Sequence, residues 1–181
     1  MKVQQAQGYT LIEMLLVVGL LMLVAAIAVP SFQRNDTQEL ERAAAEVASA
    51  FRFAQAEAFR TGNPYGVIAS TSSQSVKVYR LDESVNPPVV VYDVYDPFTK
   101  QLYDLRFGAG NSDVAISSIY FKFEGVFFPQ VFVGFAGESG VPKYNDSGTI
   151  RMLENGYIRL GLNGLTRTVA VAPMTGRVTV Q

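Results

Sequence analysis

The first apolar stretch of the chain has the length of a membrane-spanning helix. From Met14 to Val29 every residue is apolar or glycine, and the run from Tyr9 onward contains one charged residue, Glu13. At a rise of about 1.5 Å per residue, a helix over this run would extend roughly 30 Å, the thickness of a bilayer core. The pattern therefore predicts that residues 9–30 form a transmembrane helix.

The helical pattern continues beyond this run with a different arrangement of apolar side chains. Eight residues recur at the i, i+3, i+4 spacing of an amphipathic helix, namely Leu40, Ala43, Ala44, Val47, Ala50, Phe51, Ala54 and Ala58. Gly62 is placed to cap the C-terminus, and Pro64 follows it as a stop signal. We therefore predict one helix from about Tyr9 to about Thr61, broken or bent at Pro30, whose ring removes a backbone donor.

After Gly62 the period of the pattern changes to two. Ten segments alternate apolar and polar residues and are rich in Val, Ile, Tyr and Phe, with Gly, Pro, Asn and Asp between them. They are residues 65–70, 75–82, 88–96, 100–107, 114–123, 127–135, 148–153, 156–162, 166–173 and 176–180. Such segments are typical of strands joined by tight turns. The predicted fold is α+β. A long N-terminal helix, transmembrane over 9–30 and amphipathic over 31–62, packs on the antiparallel β-sheet of a globular domain at 63–181.

The composition argues against an enzyme. The chain has no histidine and no cysteine, so it lacks the commonest general base, the commonest metal ligand at neutral pH and any disulfide. It contains no phosphate-binding glycine-rich loop and no nucleophile elbow. Carboxylates gather at Asp93, Asp96 and Asp104, but their spacing fits no calcium loop. We therefore predict a non-enzymatic protein without a cofactor or a metal site.

Three interpretations of the N-terminal run compete. A secretory signal peptide would be cleaved after the small residues Ala26 and Ala28, although the carboxylate and the nearby Pro30 fit that interpretation poorly. A plain membrane anchor would use Glu13 only at its helix end, because Thr10 and Glu13 have the spacing of a capping box. The third interpretation uses the carboxylate together with the residues that precede it.

The segment "QGYTLIEMLLVVGLLMLVAAIAVP" resembles the class III signal of type IV pilins and type II secretion pseudopilins. The match consists of Gly8, the aromatic Tyr9, Glu13 and Pro30 at the family's spacing. The resemblance implies that a prepilin peptidase cleaves after Gly8, removes the leader 1–8 and methylates the new N-terminus at Tyr9. It also implies a single-pass protein of the bacterial inner membrane, with its C-terminal domain in the periplasm, that joins a filament with other pilin or pseudopilin subunits.

Cleavage would give Glu13 a physical role. The new α-ammonium of Tyr9 would lie at the edge of the apolar phase, where Glu13 of the same helix cannot easily fold back onto it. The carboxylate can instead meet the ammonium of a neighbouring subunit displaced along the filament axis. In a low dielectric, such a pair offsets much of the cost of the two buried charges. We therefore predict that Glu13 sets the register of assembly, and we include Pro30 among the assembly residues.

The last third of the chain points to a subgroup of this family. The stretch "FKFEG" and the strands ending at Gly176-Arg177 resemble the H-type minor pseudopilins of type II secretion and the FimT-like minor pilins (GspH/FimT). Some of these proteins bind DNA through a C-terminal Gly-Arg-x-Arg, whose second arginine is absent here. The resemblance implies a minor pilin or pseudopilin subunit of a type II secretion pseudopilus or a type IV pilus.

The alternative is a membrane-tethered DNA-binding minor pilin acting in natural transformation. Residues 141–181 hold five basic and two acidic residues, a net charge of +3, whereas the whole chain has a net charge of −1. Phosphate binding scales with such local charge. The residues predicted to contact nucleic acid or a partner are Arg151, Arg159, Arg167 and Arg177. Strand alternation also allows these arginines simply to lie on the solvated face of the sheet.

Overall fold

One helix precedes all of the strands. The computed structural model describes residues 10–85, 88–108, 112–146 and 148–181, except the side chains of residues 25–35 and 146. Helix α1 covers Leu11–Thr61. In the described residues ten strands follow: β1 Tyr65–Ser70, β2 Ser75–Asp82, β3 Val89–Val91, β4 Asp104–Arg106, β5 Ala115–Phe123, β6 Phe132–Phe135, β7 Pro142–Asp146, β8 Thr149–Leu162, β9 Leu165–Val171 and β10 Val178–Val180.

The C-terminal end of α1 is the predicted glycine cap. Gly62 has a φ of 74° and donates its backbone N–H to the carbonyl of Ala58 at 3.0 Å. This left-handed position after a helix favours glycine, which has no Cβ to clash. The helix assignment runs through Pro30 without interruption, so a break there is not found. The proline ring removes one backbone hydrogen bond, and the bonds of the neighbouring turns maintain the helix.

All strand pairs are antiparallel. The main path of the sheet is β10-β9-β8-β7-β6-β1-β2-β3, with β4 added beside β2 and β5 added beside β8. The alternation predicts two strands where the structure has the single 14-residue β8. A register shift opposite Lys122 and Phe123 marks a bulge, which interrupts the alternation of β8. Strand β7 is absent from the sequence prediction because it contains Pro142, Asn145 and Asp146, which are typical of turns.

The chain divides into two compact units, Met1–Thr37 and Gln38–Gln181. In the second unit, the part of α1 that it contains packs on the sheet. All eight residues of the predicted apolar stripe are at most 5% exposed, which confirms the amphipathic pattern. Phe51 of α1 lies with its ring centroid 6.0 Å from that of Phe121 in β5, and both side chains are fully buried. The α+β class predicted from the sequence is therefore confirmed.

In the first unit, the described side chains are almost entirely apolar and solvent-exposed. Every residue from Leu11 to Val24 is exposed, and Glu13 is the one charged residue among them. Across the parts of the chain that the structure describes, no helix is long and apolar enough to span a membrane.

Candidate functional site

Glu13 lies in the first turn of α1. Its backbone N–H is shared between the carbonyl of Thr10 at 3.1 Å and the Thr10 Oγ1 at 3.4 Å, so Thr10 supplies its half of the predicted capping box. The Glu13 side chain is exposed, and among the described residues its carboxylate has no hydrogen bond or ion pair. Gly8 and Tyr9 lie outside the described residues, as does the side chain of Pro30.

Apart from Glu13, the first turns of α1 are apolar on every face. A helix of this kind is normally buried in a core, a membrane or an assembly. The exposed fractions of its large apolar side chains range from 47% to 81% for Leu11, Ile12, Met14, Leu15, Leu16, Val17, Val18, Leu20, Leu21, Met22, Leu23 and Val24. Glu13 is therefore a carboxylate without a described partner within a surface that water solvates poorly.

Arg151 supports a loop instead of lying free on the sheet surface. Its Nη1 donates to the carbonyl of Glu124 at 3.4 Å, and its Nε is buried. Residues 124–129, here called the aromatic loop, lie between β5 and β6. A second cation also holds this loop, because Lys122 Nζ donates to the carbonyl of Val126. Gly125 has a φ of 68°, and a Cβ there would lie 2.4 Å from Arg151 Nη1.

The aromatic loop displays two phenylalanines. Phe127 and Phe128 are 86% and 70% exposed, and their rings meet edge to face with centroids 4.8 Å apart. Both residues lie in a segment predicted as a strand, because "FFPQVFVGF" is rich in β-forming residues. The structure begins β6 only at Phe132. A pair of aromatics beside Pro129 was the one sequence signal that could have indicated a loop.

Arg159 and Arg167 point to opposite faces of the sheet. In β8 and β9, Arg159 is paired with Thr168, and Arg167 is paired with the fully buried Leu160. Cross-strand partners lie on the same face of a sheet, and successive residues of a strand alternate between the two faces. Arg167 therefore lies on the face that packs against α1, as Leu160 does. There its Nη2 forms an ion pair with Glu41 of α1 at 3.0 Å.

Arg159 belongs to an aromatic surface on the other face. Its guanidinium lies 5.5 Å from the centroid of the Tyr157 ring, and that ring stacks on Tyr120 with a centroid distance of 5.4 Å. Thr168 Oγ1 accepts a weak hydrogen bond from Arg159 Nε at 3.5 Å. Arg159 is the exposed cation of this group. The four predicted arginines therefore do not share one face of the sheet, because the β8–β9 pairing places Arg159 and Arg167 on opposite faces.

Arg177 is exposed in the turn between β9 and β10. In this turn the backbone N–H of Ala172 donates to the Arg177 carbonyl, and the N–H of Gly176 donates to the Ala172 carbonyl, each at 2.9 Å. The turn from Ala136 to Val141 repeats the same pair of bonds, at 3.0 and 2.7 Å. We call these two segments the twin turns.

One helical side chain holds both twin turns. Gln55 of α1 donates through Nε2 to the carbonyl of Gly140 and to that of Thr175, each at 2.8 Å. A Cβ at Gly176, whose φ is 66°, would lie 2.4 Å from the same nitrogen. The glycine preceding Arg177 is therefore required by the approach of α1 as well as by the turn.

The outer face of the sheet, opposite α1, contains a cavity of about 360 Å³. Its floor is the ring of Tyr79, which lies over the glycine pair Gly66 and Gly134 of β1 and β6. Tyr79 is 7% exposed, and burial raises the pKa of its hydroxyl well above the ordinary value. We call this cavity the outer groove; among the residues that line it are Ile68, Leu81, Val90, Phe132 and Ile150.

A second, more polar cavity of about 460 Å³ adjoins the outer groove. The two cavities share Pro64, Glu83 and Lys143, and the second also reaches Glu138 and Gly62. Among the described residues, the side chains of Glu83, Glu138 and Lys143 form no hydrogen bond or ion pair. The C-terminus of α1 adds negative partial charge from its last carbonyls to this end, so the polar end of the groove is net negative.

The carboxylates that gather in sequence each have their own partner. Asp93 forms an ion pair with Arg80 at 2.7 Å, and this hydrogen-bonded guanidinium lowers the pKa of Asp93. Asp96 Oδ1 accepts the backbone N–H groups of Phe98 and Thr99 in a turn. Asp104 pairs with Arg106 at 2.7 Å. Within the described ranges, no three metal-ligating side chains come together.

Comparison with known proteins adds a finding at the N-terminus. A model of the prokaryotic N-terminal methylation motif matches residues 4–29, which include Gly8, Tyr9 and Glu13. No curated protein matches the chain. The crystal structure of the type IV minor pilin FimU from Pseudomonas aeruginosa PAO1 is similar with 14% sequence identity and a TM-score of 0.45, over 80% of this chain and 90% of that one. The methylation motif confirms the resemblance to pilin-like proteins.

Proposed function

We propose that this pilin-like chain is a minor pilin or pseudopilin subunit of a type II secretion pseudopilus or a type IV pilus. Prepilin peptidase would cleave it after Gly8 and methylate Tyr9. Residues 9–30 would hold the subunit in the inner membrane, with the C-terminal domain in the periplasm, and then carry it into a filament with other pilin or pseudopilin subunits. The proposed role is structural and needs no catalysis or cofactor, and the resemblance of the last third of the chain supports the H-type and FimT-like subgroup.

The observation that carries this proposal is the exposed carboxylate of Glu13 within an all-apolar helical surface. On insertion scales a carboxylate costs about 2.5–3.5 kcal/mol at the centre of an inserted helix and less near its end, where Glu13 lies. An ammonium from a neighbouring subunit offsets this cost, whereas solvent cannot reach the site once the apolar surface is covered. A simple anchor would gain stability by replacing Glu13 with an apolar residue.

The test is filament incorporation of Glu13→Val. Removing one partner of a buried ion pair leaves the other charge uncompensated and costs about 3 kcal/mol, which is on the order of 100-fold in incorporation. Membrane insertion, measured by fractionation, should remain at the level of the unaltered chain. Glu154→Val is the matched control, because Glu154 is also exposed but lies in β8. Incorporation of Glu13→Val equal to that of Glu154→Val would refute the role of the carboxylate.

Processing has its own test. Mass spectrometry of the protein from its native cell should find an N-terminus at methylated Tyr9. A start at Val29 would support ordinary secretion, and retention of residues 1–8 would refute the proposed processing.

A second candidate function is DNA capture, and the observation that favours it is the surface of Tyr120, Tyr157 and Arg159. Aromatic faces and a guanidinium are the groups on which single-stranded bases stack. Arg177 is the other exposed arginine of the predicted set. Arg167 contributes less to this proposal, because Glu41 already neutralises it at 3.0 Å.

A salt-dependent gel shift with single-stranded DNA and the detergent-solubilised full chain tests this candidate. Arg159→Ala and Tyr157→Ala should each weaken binding by about 1–3 kcal/mol if bases stack there. Arg106→Ala is the matched control, because Arg106 is exposed and paired with Asp104 away from β8. Equal binding by all three variants would exclude the aromatic surface as the DNA site.

A further inference from the structure

The outer groove has the features of a binding site for a small molecule. Its volume of about 360 Å³ lies within the range of pockets that take up organic ligands. Such pockets are mostly apolar and aromatic, and they contain a few polar groups that orient the ligand. The outer groove has this composition, and the polar group at its centre is the hydroxyl of Tyr79.

The side chain of Tyr79 reaches across the sheet. Tyr79 of β2 pairs with Gly66 of β1, and Gly66 pairs in turn with Gly134 of β6. A Cβ at Gly66 would overlap both Cζ and the hydroxyl oxygen of Tyr79, and a Cβ at Gly134 would lie 3.5 Å from the same oxygen. The ring therefore lies over β1, and its hydroxyl ends between β1 and β6, in the middle of the groove floor.

The hydroxyl of Tyr79 has no partner in the part of the chain that the structure describes. Tyr79 is 7% exposed, and its hydroxyl forms no hydrogen bond to any described residue. Burial raises the pKa of this hydroxyl well above the ordinary value, so it stays neutral and able to donate. A buried polar group without a hydrogen bond destabilises a fold, and phenylalanine would fill the same space without that cost. Packing of the sheet therefore does not explain the hydroxyl.

The walls of the groove favour an uncharged aromatic ligand. Aromatic side chains contact a ligand ring favourably in offset or edge-to-face arrangements. Six of the described residues that line the groove are aromatic, namely Tyr65, Tyr79, Tyr92, Phe132, Phe135 and Tyr144. The charged residues of the described lining are Glu83 and Lys143, one of each sign. A ligand with a net charge would therefore lose its hydration on the floor without gaining a counter-charge from the lining.

We infer that the outer groove binds an uncharged aromatic molecule that accepts a hydrogen bond from the Tyr79 hydroxyl. The rings of the ligand lie among the aromatic walls, and its acceptor oxygen meets the hydroxyl above Gly66 and Gly134. A carbonyl oxygen supplies the acceptor that the hydroxyl lacks. Aromatic ketones and aldehydes are the chemical class that combines both properties. This site uses no residue of the segment 9–30, so it does not depend on the proposed function.

Equilibrium dialysis of benzophenone, an aromatic ketone, against the full chain in lipid nanodiscs tests this site. Nanodiscs avoid detergent, which would compete for an apolar cavity, and empty nanodiscs measure the partition of the probe into lipid. The matched probe is diphenylmethane, which has the same two rings and a methylene group in place of the carbonyl. We expect the chain to bind benzophenone above the level of empty nanodiscs.

Two variants, each with a matched control, locate the binding. Tyr79→Phe removes the hydroxyl and should weaken benzophenone binding about 2- to 10-fold, the loss of one hydrogen bond, without weakening diphenylmethane binding. Tyr103→Phe should change neither, because Tyr103 is equally buried and does not line the groove. Val90→Trp fills the groove and should remove most of the binding of both probes. Val89→Trp should retain it, because Val89 lies on the same strand outside the groove.

The other outcomes contradict the inference. Benzophenone binding no greater than that of empty nanodiscs would overturn it. Tyr79→Phe that binds benzophenone as tightly as the unaltered chain would also overturn it, and this is the result expected if water or an apolar protein side chain occupies the groove. Equal binding by Val90→Trp and Val89→Trp would place the probe elsewhere. Tyr79→Phe should unfold at the same temperature as the unaltered chain or higher, and a lower Tm would show that the hydroxyl supports the fold instead. Because the assay uses unassembled chains, each of these failures leaves the proposed function standing.

Discussion

Replacing Gln55 should destabilise two distant turns at once. Its single amide nitrogen donates to the carbonyls of Gly140 and Thr175, which lie 85 and 120 residues further along the chain. Gln55→Met keeps the length of the side chain and removes both donors. Each hydrogen bond contributes about 0.5–1.5 kcal/mol net, so the two together predict a loss of about 1–3 kcal/mol in the free energy of unfolding.

Exposure limits the loss, because water replaces the bond to Thr175 more readily than the part-buried bond to Gly140. Gln55→Glu should be worse than Gln55→Met, since a carboxylate would face two carbonyl oxygens without a donor. For a chain of this size, about 1 kcal/mol corresponds to roughly 2–4 °C in Tm. Gln55→Met should therefore lower Tm by about 2–12 °C, with Gln55→Glu at or beyond the upper end.

The measurement is urea and thermal unfolding of the detergent-solubilised full chain, followed by circular dichroism of the sheet. Gln38→Met is the matched control, because Gln38 is exposed on the same helix. Hydrogen exchange gives a local readout, and the amides of Gly140 and Gly176 should lose protection before those of the central strands. A Gln55→Met chain as stable as Gln38→Met, with unchanged exchange at both glycines, would refute the reasoning.

Two further predictions follow from the sheet and its ion pairs. Gly66→Ala should cost about 1–3 kcal/mol, because the new methyl group would overlap the Tyr79 ring; Gly161→Ala, whose nearest contact is at 3.6 Å, is the control, and equal unfolding midpoints would contradict the argument. The hydrogen bond to Arg80 lowers the pKa of Asp93 in the folded chain. The ionised Asp93 therefore adds to the free energy of unfolding above the unfolded pKa of about 3.9, and this stabilisation is lost as the pH falls through the lower folded pKa. Arg80→Ala should therefore reduce the loss of the free energy of unfolding as the pH falls below about 4, in acid titrations followed by circular dichroism, and an unchanged slope would exclude the pair as the cause.

The helix was predictable because its pattern is local. The stripe from Leu40 to Ala58 has the helical period, and Gly62 followed by Pro64 is a strong stop signal. All of these features depend on residues within a few turns of one another, and the structure has them as predicted. The prediction failed at β7, where turn-forming residues occupy a strand because its neighbours β6 and β8 supply the hydrogen bonds.

The interaction surfaces were less predictable, because they depend on which residues face each other across strands. The excess of positive charge over residues 141–181 suggested a common role for Arg159 and Arg167, but the β8–β9 pairing places Arg167 opposite buried Leu160 and within reach of Glu41. The outer groove depends on the pairing of Gly66 with Gly134, which are far apart in sequence. A sequence pattern of period two identifies the faces of one strand and does not identify which strand lies next to it.

The bonds between α1 and the last strands have a consequence for how the chain folds. Arg52 donates to the carbonyl of Val178, and Glu41 accepts a hydrogen bond from Arg167. Each pair is separated by 126 residues in the sequence. The apolar stripe therefore acquires its final cover only after the end of the chain becomes available. Contacts of such long range slow folding and prolong the exposure of aggregation-prone surface. We expect that a chain halted before β8 keeps this stripe uncovered and remains a substrate for chaperones and proteases.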